Sequence, residues 1–189
     1  MWTFLATEVL FFGALFNGYI VYRILYPRAW AEASAHLYMW IGATNTVVLL
    51  LSSLTLALAV HAAAAGERRR IPPLLLVTVL LGATFLVLKV FEYHLDFRDH
   101  LVPGPHYHAE GITDPRHSQL FMVFYFIMTG LHALHVLIGV GLLAVMFALS
   151  VRGRFTPHDH NPLEVSGLYW HFVDVVWIFL FPLLYLVKL

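Results

Sequence analysis

Five apolar stretches dominate this chain of 189 residues, and polar segments separate them. A helix needs about 20 apolar residues to cross a membrane. The stretches that reach this length cover residues 2–22, 38–62, 72–91, 118–151 and 165–187. We therefore predict an all-α protein, an integral membrane bundle of five transmembrane helices, folded as a single domain over residues 1–189.

The composition supports a membrane location and excludes several classes of protein. Hydrophobic residues make up 60% of the chain and charged residues 12%, against about 25% charged residues in soluble domains. A formal net charge of zero argues against nucleic acid as a partner. Without cysteine, the chain has no disulfide, thiolate metal site or cysteine nucleophile. The first apolar run is too long for a cleavable signal peptide, and whether Met1 is the true start stays open.

The distribution of basic residues predicts the orientation in the membrane. An N-terminus in the cytoplasm places Arg152, Arg154 and the three consecutive arginines of residues 68–70 on the inside. It places the acidic loop of residues 94–117 outside. Equal numbers of lysines and arginines fall on the two sides, so the prediction depends on the dense arginine cluster and the acidic loop. Tryptophans expected in the interfacial belts are Trp30, Trp40 and Trp170.

Ionisable residues inside the apolar stretches are the candidate functional residues. A charge in hydrocarbon costs several kcal/mol unless it is paired or neutral, so these side chains must face protein, bound water or a bound head group. They are Glu8, His132, His135, His171 and Asp174. Glu8 and His171 are predicted at similar depth, where they share a network if their helices are neighbours. Asp174 is expected to accept a hydrogen bond from a facing helix.

The pair formed by His132 and His135 has two interpretations. The pair is either a set of metal or haem ligands, or two neutral histidines hydrogen-bonded between helices. Bis-histidine haem needs single histidines on facing helices, and a di-iron site needs several carboxylates with Glu-x-x-His spacing. Neither set is complete in this chain. We therefore predict no catalytic, cofactor-binding or metal-binding residue here.

Two further charged pairs lie near the ends of the apolar stretches. Lys89 and Glu92 are three residues apart, and we expect them to pair locally rather than to relay protons. Arg152 and Arg154 directly follow the fourth stretch. Because arginine binds phosphate through two parallel hydrogen bonds, we predict that these two arginines hold a lipid head group. The alternative is that they only obey the positive-inside rule.

Five short motifs occur in order along nearly the whole chain. They are TEVLFFG at 7–13, NT at 45–46, KVFEYH at 89–94, TGLHALHV at 129–136 and the stretch 164–177. The last contains WHFVDVVW at 170–177, which is very specific. Together the motifs resemble subunit III of the haem-copper oxidases, the cytochrome c oxidase family, in its five-span bacterial form.

This resemblance implies an accessory subunit of a terminal oxidase in aerobic respiration. Haem and copper are then expected in the partner catalytic subunits and not in this chain. The implied partners are oxidase subunit I, which is catalytic, oxidase subunit II, and phospholipid, in the bacterial plasma membrane. The implied role is support of the catalytic subunit and of its proton uptake. The predicted buried polar network then consists of Glu8, His132, His135, Glu164, His171 and Asp174.

The chain matches the last five spans of the seven-span members of this family. In those members the first two helices form one arm of a lipid cleft, so here a partner must complete the cleft or it is absent. Other functions stay open. The complex could be a quinol oxidase or a nitric oxide reductase-type complex. Two alternatives belong to other classes of protein. A self-contained membrane haem or di-iron enzyme would use Glu8 with His132, His135 and His171. A proton-coupled transporter would use Glu8 and Asp174.

Overall fold

The computed structural model describes residues 2–104, 107, 112–156 and 160–187 of the chain. This part contains six helices, numbered in chain order: α1 (Trp2–Leu25), α2 (Pro27–Ala35), α3 (Met39–Ala64), α4 (Ile71–Arg98), α5 (Pro115–Val151) and α6 (Asn161–Tyr185). All except α2 are long and apolar enough to cross a membrane. The structure confirms the predicted all-α bundle of five transmembrane helices, and the chain is a multi-pass membrane protein.

Helices α3 to α6 form the closely packed part of the molecule. The most extensive contacts join α3 to α4 and α4 to α5, while α6 packs against both α3 and α5. Helix α1 makes only small contacts, with α2, α5 and α6. In the most apolar 18-residue segment of α1, 11% of the residues are buried, compared with 50% in that of α6. Most of the α1 surface is therefore free to face lipid or another subunit.

Helix α2 was not predicted, because it is short and has no long apolar run. Pro27 begins it, in the first turn where a missing N–H group costs nothing. Its buried face packs on α5 and α6 and includes Trp30, which is 0% exposed. The Trp30 ring contacts those of Tyr19 and Phe121. Trp30 is thus a core residue of the bundle end, and its predicted place in an interfacial belt is wrong.

The connections between helices gather at two ends of the bundle. At the end that carries α2, which we call the α2 end, Glu32 accepts hydrogen bonds from the Thr113 amide at 2.9 Å and hydroxyl at 2.8 Å. These bonds lower the pKa of the Glu32 carboxyl. Tyr38 donates to Asp99 at 2.7 Å, which raises the pKa of the Tyr38 hydroxyl.

At the opposite end, which we call the arginine end, the connections from α3 to α4 and from α5 to α6 carry five arginines. They are Arg152, Arg154 and residues 68–70. Arg70 pairs with Glu67 at 2.8 Å. The N-terminus of α1 lies at this end, because five successive crossings alternate in direction. The two ends of the bundle therefore differ in charge.

Trp170 of α6 fills the centre of the packed helices. Its indole is 1% exposed and donates to Ser52 of α3 at 3.0 Å. A Cβ atom at Gly82 of α4 would come within 2.6 Å of the ring, and one at Gly139 of α5 within 2.8 Å. Only glycine leaves room for the indole between these helices, as small residues do in membrane helix packing. Trp170 is therefore not the interfacial residue that its sequence position predicted.

We predict that Gly139→Ala destabilises the bundle and that Gly141→Ala does not. The added methyl group of Gly139→Ala meets the Trp170 ring, which its hydrogen bond to Ser52 holds in place. Overpacking of this kind costs about 1–3 kcal/mol. No described atom comes within 4 Å of a Cβ at Gly141, where alanine adds helix propensity of up to about 1 kcal/mol.

The measurement is the midpoint of thermal unfolding of the detergent-solubilised protein, with Gly141→Ala as the matched control on the same helix. The midpoint should fall for Gly139→Ala and hold or rise for the control. Equal midpoints for the two variants would contradict the packing described for Trp170.

Candidate functional site

Glu8 of α1 and His135 of α5 form a hydrogen-bonded pair across two helices. Glu8 Oε2 lies 3.1 Å from His135 Nε2, and His135 Nδ1 lies 2.8 Å from the carbonyl oxygen of Leu131. A carbonyl oxygen only accepts, so Nδ1 carries a proton. Either Nε2 also carries one and faces a carboxylate, or it accepts from a protonated Glu8. In both states the pair is neutral overall and shares one proton.

The Glu8–His135 pair is only partly enclosed. The Glu8 side chain is 18% exposed and the His135 side chain 14%. The ring of Phe12 packs edge-on against His135, with the centroids 5.4 Å apart. The pair therefore lies at the side of the bundle that the thinly packed α1 covers.

His171 of α6 forms a second, separate polar pair with Ser53 of α3. The Ser53 hydroxyl lies 2.5 Å from His171 Nδ1. Asp174, three residues further along α6, is 5% exposed, and its Oδ1 has no hydrogen-bond partner in the described part of the chain. The expected hydrogen bond from a facing helix to Asp174 stays a prediction. Glu8 and His171, which were predicted to share a network if neighbours, instead bond to different helices.

His132 is fully buried in the packed core. Its ring stacks on Trp177 at 5.1 Å and meets Phe85 edge-on at 5.5 Å. Neither ring nitrogen has a hydrogen-bond partner within the described ranges. His135 lies about 60° further around α5 and contacts Glu8 and Phe12 of α1, so the two histidines meet different neighbours. The interpretation of two histidines hydrogen-bonded between helices therefore holds for His135 and not for His132.

Glu164 lies apart from these buried groups. Its side chain is 47% exposed and accepts from His160 at 3.1 Å. It stands in the first turn of α6, where the helix dipole favours a negative charge. The residues predicted as one buried network are thus distributed over two hydrogen-bonded pairs, the isolated His132, the buried Asp174 and one surface carboxylate.

The two arginines after α5 differ in their surroundings. Both are exposed, but Arg154 lines a pocket of about 380 Å³ together with Leu149, Phe155 and Pro162. Arg152 does not line this pocket. A guanidinium above an apolar floor combines a phosphate-binding group with a surface suited to hydrocarbon.

One cluster of ionisable groups, centred on Lys89, was not predicted from the sequence. Lys89 bonds to Glu92 at 2.9 Å, so the expected local pair is present. Both side chains are fully buried, however, and α4 continues to Arg98 instead of ending near residue 91. The sequence signal for this cluster was the spacing of Lys89, Glu92 and Asp96, which places all three residues on one face of a helix.

The described side chains do not assemble a metal site. Within residues 2–104, 107, 112–156 and 160–187, no group of three or more histidine, aspartate or glutamate side chains is arranged to hold a metal ion. His132 and His135, the candidate ligand pair, diverge as described above. The polar groups described above can share protons and can join neighbouring helices.

We predict that a hydrophobic carbodiimide labels Glu8 and that Glu8→Gln abolishes this labelling. The reagent attacks protonated carboxyl groups that it reaches from the membrane. Glu8 of α1 shares its proton with His135 and remains partly exposed. The measurement is mass spectrometry of the labelled peptide. The control is Glu164→Gln, which removes a surface carboxylate instead. Labelling that persists in Glu8→Gln at the same peptide would count against Glu8 as the reactive acid.

Comparison with known proteins places the chain in a family. The family model for cytochrome c oxidase subunit III matches residues 1–188. Cytochrome c oxidase subunit 3 of Corynebacterium diphtheriae is 35% identical over 187 residues, which cover 98% of this chain and 85% of that relative. The subunit 3 of Dugong dugon is 33% identical over 189 residues, which cover 96% of this chain and 66% of that relative.

The subunit 3 of Loxodonta africana is 34% identical over 190 residues, again covering 96% of this chain and 66% of the relative. The chain thus spans just under two thirds of the length of these two longer relatives. The match over residues 1–188 confirms the resemblance that the five motifs predicted. This chain belongs to the cytochrome c oxidase subunit III family.

Proposed function

We propose that this chain is the accessory subunit III of a haem-copper terminal oxidase, and that it supports catalytic subunit I beside subunit II. The observation that carries the proposal is the family match over residues 1–188. The site is compatible with it, since the Glu8–His135 pair can share a proton inside the bundle. Haem and copper then belong to the partner subunits.

The orientation we propose has the N-terminus in the cytoplasm of a bacterium, with the protein in the plasma membrane. The arginine end of the bundle carries residues 68–70, Arg152 and Arg154, and such clusters favour the cytoplasmic side. The α2 end carries acidic residues such as Glu32 and Asp99 and faces outside. Glu8, two turns from the N-terminus of α1, then lies in the cytoplasmic half of the membrane.

Helix α1 is the proposed docking surface for the catalytic subunit. It is the least buried of the five crossing helices. Large apolar side chains on its free surface include Val9, Leu10, Phe11, Ile20 and Ile24. At Gly13 no described atom lies within 4 Å of an added Cβ, so a partner helix has room for close approach. A subunit bound there covers the Glu8–His135 pair, which suits a role in proton uptake.

Two features support bound phospholipid. An apolar groove of about 230 Å³ runs between α1 and α6, lined by side chains that include Phe12, Phe16, Phe172 and Phe179. Its lining fits an acyl chain. In the pocket at the arginine end, the Arg154 guanidinium is available to bind a phosphate head group.

We predict that Arg154→Gln lowers the amount of phospholipid retained by the purified complex and that Arg152→Gln has little effect. Arg154 lines the pocket with Leu149, Phe155 and Pro162, while Arg152 is exposed outside it. The measurement is lipid phosphorus per protein after extended detergent washing. Equal loss in both variants would mean that general positive charge, not the pocket, holds lipid. No loss in either would contradict a head-group site here.

We also predict that an oxidase stripped of this chain keeps its haem spectrum and its initial rate of oxygen reduction. The proton entrance of the catalytic subunit then becomes exposed, so proton uptake near neutral pH should slow and the enzyme should inactivate during turnover. The measurement is oxygen consumption over time at matched haem, with and without the chain. Immediate loss of all activity together with an altered haem spectrum would show that this chain helps to build the catalytic site, against the accessory role.

A further inference from the structure

The buried cluster around Lys89 has no role in the function proposed above. Lys89, Glu92 and Asp96 lie on one face of α4, and Tyr125 of α5 and Tyr185 of α6 close over them. All five residues are at most 1% exposed. The cluster lies toward the α2 end of the bundle, away from the Glu8–His135 pair.

The hydrogen bonds of Lys89 fit a charged ammonium group. Its Nζ donates to Glu92 Oε2 at 2.9 Å, to the Tyr185 hydroxyl at 2.9 Å and to the Tyr125 hydroxyl at 3.2 Å. An ammonium group has three N–H donors, and all three are used. The same nitrogen lies 4.7 Å from the centroid of the Tyr125 ring, within the range of cation–π attraction.

The two tyrosine protons distinguish the two carboxyl groups. The Tyr185 hydroxyl donates to Glu92 Oε1 at 2.6 Å, so Lys89 and Tyr185 occupy both oxygens of Glu92. The Tyr125 hydroxyl donates to Asp96 Oδ2 at 3.0 Å. Asp96 Oδ1 has no hydrogen-bond partner in the described part of the chain. Glu92 is therefore the counter-ion of Lys89, and Asp96 has no cation of its own.

The balance of charge decides the state of Asp96. Lys89 and Glu92 cancel, so an ionised Asp96 would leave one uncompensated negative charge in the bundle, which is costly. The other described groups near Asp96 supply no compensation. Tyr125 and Tyr185 are neutral donors, and Asp99, which bonds to Tyr38 just before α3, is a further acid. We propose that this cluster is a buried proton-binding site in which Asp96 is held as the neutral carboxylic acid.

The position of Asp96 defines which side supplies the proton. Asp96 stands in the last turns of α4, and the Leu101 amide donates to its backbone carbonyl at 3.0 Å. Leu101 is itself 4% exposed, while Asp99, three residues from Asp96, is at the surface. Asp96 is therefore nearer to water at the α2 end than at the arginine end, and we expect the site to exchange its proton there.

The test is infrared difference spectroscopy of the purified complex containing the full chain, at neutral pH. Asp96→Asn should remove one carbonyl stretching band of a protonated carboxyl group, relative to the unmodified protein. Glu92→Gln should weaken or remove the same band, because Lys89 loses its counter-ion and Asp96 ionises in its place. Lys89→Met should add a second such band, because Glu92 loses its counter-ion and takes up a proton. An unchanged spectrum in Asp96→Asn, or no added band in Lys89→Met, would overturn the proposal.

Thermal unfolding of the same samples gives an independent readout. Asp96→Asn replaces a neutral acid by a neutral amide of the same shape, so the unfolding midpoint should shift little. Glu92→Gln removes the carboxylate that bonds directly to Lys89 and should lower the midpoint more than Asp96→Asn does. If the Glu92→Gln variant does not assemble, the comparison of Asp96→Asn with the unmodified protein still tests whether Asp96 is a neutral acid. A large loss of stability in Asp96→Asn would show that Asp96 is a carboxylate needed for charge balance.

Discussion

Ionisable groups in a hydrocarbon layer need partners, and this requirement organises the bundle. Lys89 uses its three donors on one carboxylate and two tyrosines. Glu8 shares a proton with a histidine of another helix. Each group joins helices that are distant in sequence, so the polar contacts fix which helices are neighbours. The apolar packing, with Trp170 between two glycines, then sets how closely the helices approach.

The closely packed helices and the peripheral helix α1 have different roles. Helices α3 to α6 are closely packed and hold the Lys89 cluster, whereas α1 is peripheral and covers the Glu8–His135 pair only in part. A loosely attached helix with an apolar surface is suited to an interface inside a larger membrane complex. Membership of the subunit III family agrees with this division, since such a subunit contributes contacts rather than a redox centre of its own.

The sequence predicted the five crossing helices and the family, because apolar length and specific motifs are local signals. It did not predict the partners of the polar residues, because these lie on other helices. Tyr185 reaches Lys89 from 96 positions along the chain. His132 and His135 share a motif but face different neighbours. Helix α2 and the burial of Trp30 were missed for the same reason, since only tertiary packing against α5 and α6 orders that segment.

The most direct test of the account is the spectrum of the complex that this chain assembles into. An affinity tag on this chain, used to purify protein from native membranes in mild detergent, should yield partner chains and the visible spectrum of haem at a fixed stoichiometry. After dissociation in stronger detergent, the haem and copper should remain with the partner chains. Haem or metal that stays bound to this chain alone, or a tagged protein that carries no oxidase subunit, would contradict the account.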